Sequence, residues 1–219
     1  MSSNTQEIFN EISRELQWLH VRWIFYRQLF ESSQKRRIDL LNESASLSFW
    51  LVESSFIDGI LLGLCKLTDP ANTGRKDNLT FKQLQIAVED DDPNLPPDIK
   101  KKLKDTLDNL DKCEEFRKHR NKRLTHLDLE TALGTALNPL PPVTVQMIEE
   151  TLEYMRDYLN AIEQHYDDRE TGYDNISLSF HGDGEALVYL LKQGLRYKQL
   201  LEEGNLPYED LSKSKWKDA

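Results

Sequence analysis

The sequence predicts an all-α fold, a bundle of about five or six helices, and three observations carry that reading. Apolar residues recur at three- and four-residue steps along most of the 219-residue chain. Clusters of proline, glycine, asparagine and aspartate separate these runs, as helix breakers do. Only one short stretch alternates in the manner of a strand.

The first helix is expected over about residues 5–36, where Ile8, Ile12, Leu16, Leu19, Trp23, Tyr26 and Phe30 mark one face. A second, over about residues 38–68, carries Leu47, Trp50, Leu51, Phe56, Ile60, Leu61 and Leu64 on several sides, which suits the centre of a bundle. Asp69-Pro70-Ala71-Asn72-Thr73-Gly74 stops it, because proline cannot continue the hydrogen-bond ladder. A short helix restarts near Asn78-Leu79-Thr80, with Thr80 as N-cap, and runs through Val88. After the loop around Pro93, Pro96 and Pro97, a third long helix carries a basic cluster in its C-terminal half. Residues 134–142 form another loop, and Thr144 opens a helix reaching about Tyr166. Ile176, Leu178 and Phe180 alternate with serines, yet the run lacks a pairing partner and reads as an ordered loop. A last helix starts at Asp183 or Gly184 and reaches Glu203, with Gly204 as its C′ glycine. The expected organisation is one helical domain over residues 1–204 and a polar tail over 205–219.

A formal net charge of −10 argues against non-specific coating of nucleic acid, which needs a basic domain. Cys65 and Cys113 lie inside apolar helical patterns and read as buried free thiols. No Cys/His set has zinc spacing, so no metal and no cofactor are expected. The N-terminus lacks the basic and apolar regions of a secretory signal, and residues 44–67 are interrupted by Glu53, Asp58 and Lys66. A cytoplasmic protein with no membrane partner is the expectation.

Against this acidic background, residues 117–126 hold five cationic side chains and two histidines, and no acidic residue lies between Glu115 and Asp128. The charge is therefore not neutralised locally. On a regular helix Cys113, Phe116, Arg120, Leu124 and Leu127 share one stripe, so Arg120 interrupts an apolar seam. An unpaired guanidinium there costs several kcal/mol. A partner carboxylate, a wet subunit interface or an anionic ligand can offset that cost. His119, Lys122, Arg123 and His126 form a positive ridge on another face. The bland reading of this ridge is a solvated face that complements the helix macrodipole. The sharper one is a phosphate-binding site.

Arg120 and His126 stand six residues apart, roughly 120° around an ideal helix. From the middle of a regular helix they do not converge on one atom. Either the helix loosens near Thr125, or two copies of the chain contribute to a shared cleft across a two-fold axis. The second is preferred, since a symmetric, partly wet interface accommodates an arginine in an apolar stripe.

Three blocks together resemble HEPN-domain proteins of the abortive-infection, AbiU-like branch. They are Leu40-Leu41-Asn42, then Cys65-Lys66-Leu67-Thr68-Asp69-Pro70 with Asn78-Leu79-Thr80, and finally Arg117-x-x-Arg120-Asn121-Lys122-x-x-x-His126-x-Asp128. The resemblance covers roughly residues 5–204. It implies an all-α HEPN bundle and, for active members, a metal-independent ribonuclease working in a homodimer cleft. Carried over, Arg120 and His126 are the catalytic pair and Asn121 the polar residue that follows the arginine. Arg117, His119, Lys122 and Arg123 would bind the RNA backbone. Attack by the RNA's own 2′-OH would leave a 2′,3′-cyclic phosphate. Toxin or phage-defence roles, with an antitoxin or other defence protein as partner, also follow from the resemblance. One departure stands out. HEPN toxins silenced by a nucleotidyltransferase carry a modified tyrosine two residues after the histidine, and here that position is Asp128. That control is doubtful for this chain. Asp128 is instead expected to orient His126 or to pair with Arg120 or Lys122 of a second copy.

The rival readings are a catalytically inactive HEPN-type module that binds RNA, a nucleotide or a protein, and a structural helical adaptor in which Arg120 is a buried salt bridge. His165 with Asp167 and Asp168 reads as a helix-end polar cluster rather than a metal site. His20, among Trp18, Leu19 and Trp23, reads as an edge-of-core residue.

Overall fold

The computed structural model describes residues 1–31, 35–111, 114–176 and 182–205. Among them lie eight α-helices: α1 (Ser3–Phe30), α2 (Lys35–Thr68), α3 (Phe81–Asp91), α4 (Pro97–Asp111), α5 (Glu114–His119), α6 (Leu129–Leu133), α7 (Val145–Asp167) and α8 (Gly184–Glu202). A two-stranded hairpin, β1 (Asn72–Thr73) and β2 (Lys76–Asp77), follows α2, with Gly74 in the left-handed region at its tip. The all-α expectation holds. Thr80, Thr144 and Asp183 cap α3, α7 and α8 by accepting bonds from the backbone N–H groups of Gln83, Met147 and Ala186.

The described chain forms two compact units. The first combines Met1–Trp23 with Ser55–Ser177. Its core gathers Phe9, Ile12, Leu16 and Leu19 of α1 with Ile60, Leu61 and Leu64 of α2, all buried. Leu103, Leu107 and Leu110 of α4 face Ile148, Leu152, Met155 and Leu159 of α7, and the two helices pack along each other. The i, i+3, i+4 spacing on each puts these side chains on one stripe, and each fully buried one contributes about 1.5–3 kcal/mol. Phe81 meets Tyr158 edge-on with centroids 5.2 Å apart. Gly63 lets α1 and α2 approach, because a Cβ there would overlap Leu19 Cδ2.

The second unit combines the described residues of 24–54 with residues 182–205. Arg37 of α2 forks onto Glu185 of α8 at 2.7 and 3.0 Å and donates to the Gln28 carbonyl. Gln28 in turn accepts from Gly184 N–H and donates to Asp183. Gly184 is buried against Gln28 and Leu29, which a side chain would crowd.

Several expectations need correction. The first helix ends at Phe30, and α2 begins at Lys35 with a non-helical residue at Ala45. Beside that kink the Ser44 hydroxyl donates to the Leu40 carbonyl, a local bond that competes with the helix ladder. The expectation that α2 lies at a bundle centre holds only for its C-terminal half. Leu47, Trp50 and Leu51 are more than half exposed. By length and composition α2 passes as a membrane span, but Ile60, Leu61 and Leu64 are core residues and Asp58 is ion-paired within the first unit. After α5 the third long helix opens into a wider turn, and α6 and the hairpin were not anticipated. His20 is buried outright rather than at the core's edge. Cys65 is buried, as expected. Cys113, the alternating Leu178 and Phe180, and the tail from residue 206 lie outside the described residues.

Candidate functional site

The basic cluster is built on α5 and the turn after it, anchored by the buried Phe116. Its three arginines reach to α2. Arg117 donates to the Thr68 carbonyl at 2.7 Å and places Nε 3.9 Å from Asp69. Arg120 Nη1 donates to both Asp69 oxygens, at 2.6 and 2.5 Å. Arg123 pairs with Asp58 at 2.6 Å. The guanidinium groups of Arg117 and Arg120 therefore stand at the C-terminus of α2, where unsatisfied carbonyls and the helix dipole favour positive charge.

Arg120 is thereby offset by a carboxylate of its own chain, and the cluster's charge is partly neutralised across the fold. The local sequence had suggested otherwise. Arg120 and Asp69 side chains are 21% and 25% exposed, so the pair is largely withdrawn from water. The Asp69 hydrogen bond raises the Arg120 pKa above its ordinary value and keeps it a permanent cation. Arg120 Nε donates to Asn121 Oδ1 at 3.0 Å. Its Nη2 makes no hydrogen bond among the described residues, so one edge of the guanidinium remains open to an anion.

From Arg120 to Leu124 the chain forms a π turn. The Thr125 N–H donates to the Arg120 carbonyl at 2.8 Å, an i→i+5 bond, and the Thr125 hydroxyl donates to the same oxygen at 3.0 Å. Of the two arrangements weighed for Arg120 and His126, the loosening near Thr125 is therefore present. Single π turns occur often at functional sites. The helix ends there, and His126 stands in the open connection to α6, exposed and without a hydrogen-bond partner among the described residues. It is flanked by uncovered leucines. Leu127, Leu129 and Leu133 are more than two-thirds exposed, and Leu137 is 96% exposed.

The other candidates are engaged in different ways. His119 Nε2 lies 2.7 Å from the Pro141 carbonyl, which can only accept, so this nitrogen carries the hydrogen. Its Nδ1 is buried without a partner among the described residues. His119 thus pins the loop before α7. Lys122 is half-buried and lends its carbonyl to the Asp128 N–H at 3.1 Å. Asp128 caps α6, accepting from the Thr131 N–H at 2.9 Å and the Thr131 hydroxyl at 2.6 Å, and these bonds lower its pKa. Oδ1 of Asp128 is therefore committed to the cap.

Sequence reasoning missed Asp69 and Asp58 as partners and assigned Asp69 only a turn role. Asp69 is the residue just past the end of α2, eleven positions from Asp58, and neither shows its partner in the local sequence. Elsewhere, His165 Nε2 lies 3.2 Å from Asp92, and no metal-competent cluster occurs among the described residues. Burial lowers the His20 pKa to about 4, with its Nε2 unpartnered.

Comparison with curated proteins and with solved structures found no match. A family model does match, that of AbiU2, a HEPN family, over residues 2–187. The match takes in both the α2 terminus that carries Asp69 and the whole Arg120–His126 turn. The chain belongs to the AbiU2 family of HEPN proteins.

Proposed function

We propose that this protein is a metal-independent RNA endonuclease of an abortive-infection or toxin system, cleaving in a cleft shared by two copies. The observation that carries the reading is the Arg120 guanidinium, fixed by Asp69 and Asn121 with Nη2 left open, six residues before an exposed, unpartnered His126.

RNA supplies its own nucleophile. His126, as neutral imidazole, takes the 2′-OH proton while the 2′ oxygen bonds to phosphorus. The 5′ oxygen of the next nucleotide leaves and receives a proton from an imidazolium. The same His126, now protonated by the 2′-OH, supplies that proton. The products are a 2′,3′-cyclic phosphate and a 5′-OH. General acid–base help of this kind is worth roughly 10²–10⁴-fold. Arg120 Nη2 donates to a non-bridging oxygen as negative charge builds there. Because Asp69 already holds the guanidinium, little ordering is needed at the moment of reaction. Lys122 and Arg117 steer the backbone. The exposed leucines beside His126 support a covered edge in the working assembly, since uncovered apolar patches of that kind mark interfaces. A cytoplasmic location suits an RNA target, and an antitoxin or other defence protein is the proposed partner.

The same ion pairs favour a second reading. Arg117, Arg120 and Arg123 all bond to α2, as they would in a HEPN-type module that has lost catalysis and keeps the arginines for its fold. Incubating the protein with total RNA in EDTA and mapping the product termini separates the two. The nuclease reading expects 2′,3′-cyclic ends from wild type and none from His126→Ala; equal product from both excludes it.

A further inference from the structure

A cavity of about 370 Å³ has Asp69 in its wall, together with Glu15, Lys66, Thr73, Asn78 and Leu79. Its volume falls within the range of small-ligand sites. One carboxylate thus serves two neighbours, gripping Arg120 and forming a wall of this cavity. The phosphate site proposed at Arg120 and this cavity thus share one residue, Asp69.

The lining chemistry says which group that is. With Asp69 already paired with Arg120, Glu15 and Lys66 balance each other and leave no surplus positive charge for a phosphate. They favour a neutral group that donates hydrogen bonds. Asn78 is already oriented. Its Nδ2 donates to the Pro70 carbonyl at 2.9 Å and to Thr73 Oγ1 at 2.8 Å, which spends both amide hydrogens and leaves Oδ1 as an acceptor. Glu15 has no partner among the described residues and is exposed. Leu79, 40% exposed, offers apolar surface to a flat ring.

We propose that this cavity, built by the C-terminus of α2 and the β1–β2 hairpin, is the subsite for an unpaired nucleobase bearing an exocyclic amino group, flanking the phosphate held at Arg120. The assignment rests on the RNA reading above. Single-stranded bases splay readily into such pockets and are read on their hydrogen-bonding edges. Adenine, cytosine and guanine each present an amino group to the acceptors Asn78 Oδ1 and Glu15. Uracil presents carbonyl oxygens on both sides of its N3–H, which face those acceptors unfavourably.

The test uses the full chain and fluorescent, uncleavable 2′-O-methyl hexamers of A, C and U, read by anisotropy. Wild type should bind the A and C hexamers at least about fivefold more tightly than U. Glu15→Ala, on an exposed helix face, should reduce that ratio, and Thr73→Trp, which fills the cavity, should abolish it. Equal binding of all three hexamers by wild type, or a ratio that survives in both variants, overturns the subsite. Cleavage of total RNA by the same preparations is scored separately. Cleavage without base discrimination removes only the subsite, whereas discrimination without cleavage removes the nuclease reading and leaves the subsite as a binding site.

Discussion

Arg120 Nη1 lies 2.6 and 2.5 Å from the two carboxylate oxygens of Asp69, so one nitrogen of the guanidinium spans the whole carboxylate. A side-on fork would have used two nitrogens. This geometry uses one, and Nη2 makes no hydrogen bond among the described residues.

Removing Asp69 therefore tests two effects at once. The pair is three-quarters or more withdrawn from water, between the surface and buried limits. Asp69→Ala should cost about 2 kcal/mol in urea unfolding and should also lower RNA cleavage. Asp58→Ala breaks a pair that is more than a third exposed, so its stability cost should stay below about 1 kcal/mol.

His126→Ala should behave in the opposite manner. The imidazole is exposed and unpartnered among the described residues, so the melting temperature should not move while cleavage is lost. A large thermal shift in this variant would show that the side chain is structural after all.

His119 should separate from the other cluster residues. Its Nε2–H bond to the Pro141 carbonyl holds a loop, and His119→Ala should cost about 1 kcal/mol with RNA affinity retained. Lys122→Ala should weaken binding with a shallower salt dependence and no loss of stability. Both are measured by urea titration beside anisotropy at two salt concentrations.

Stability should fall in mild acid because of His20. Burial lowers its folded pKa to about 4, below its ordinary 6.5, so between these values the unfolded chain binds the extra proton. The contribution is complete above pH 6.5 and is lost as pH falls toward 4. Between pH 7 and pH 5 it should amount to about 2 kcal/mol. His20→Leu should flatten that slope, measured by urea unfolding at the two values.

Helix positions were legible wherever apolar period and cap agreed. Thr80, Thr144 and Asp183 each announced the helix they open, because capping is a local matter. The kink at Ala45 and the π turn at Arg120 were not legible as such, since both sit in sequences of ordinary helix propensity. The exposure of Leu47, Trp50 and Leu51 was hidden for a related reason. Composition reports that a surface is apolar but not what covers it. At the site, the cationic cluster of residues 117–126 could be read from the sequence. Asp69 could not, because its role depends on a contact fifty-one residues away.

The central claim is that Arg120 of one copy and His126 of another act on a single phosphodiester. Mixing Arg120→Ala with His126→Ala protein, each inactive alone, tests it most directly. Random pairing gives mixed dimers that carry one complete site, and the account predicts recovery of about a quarter of wild-type cleavage. A mixture as inactive as its components would contradict it.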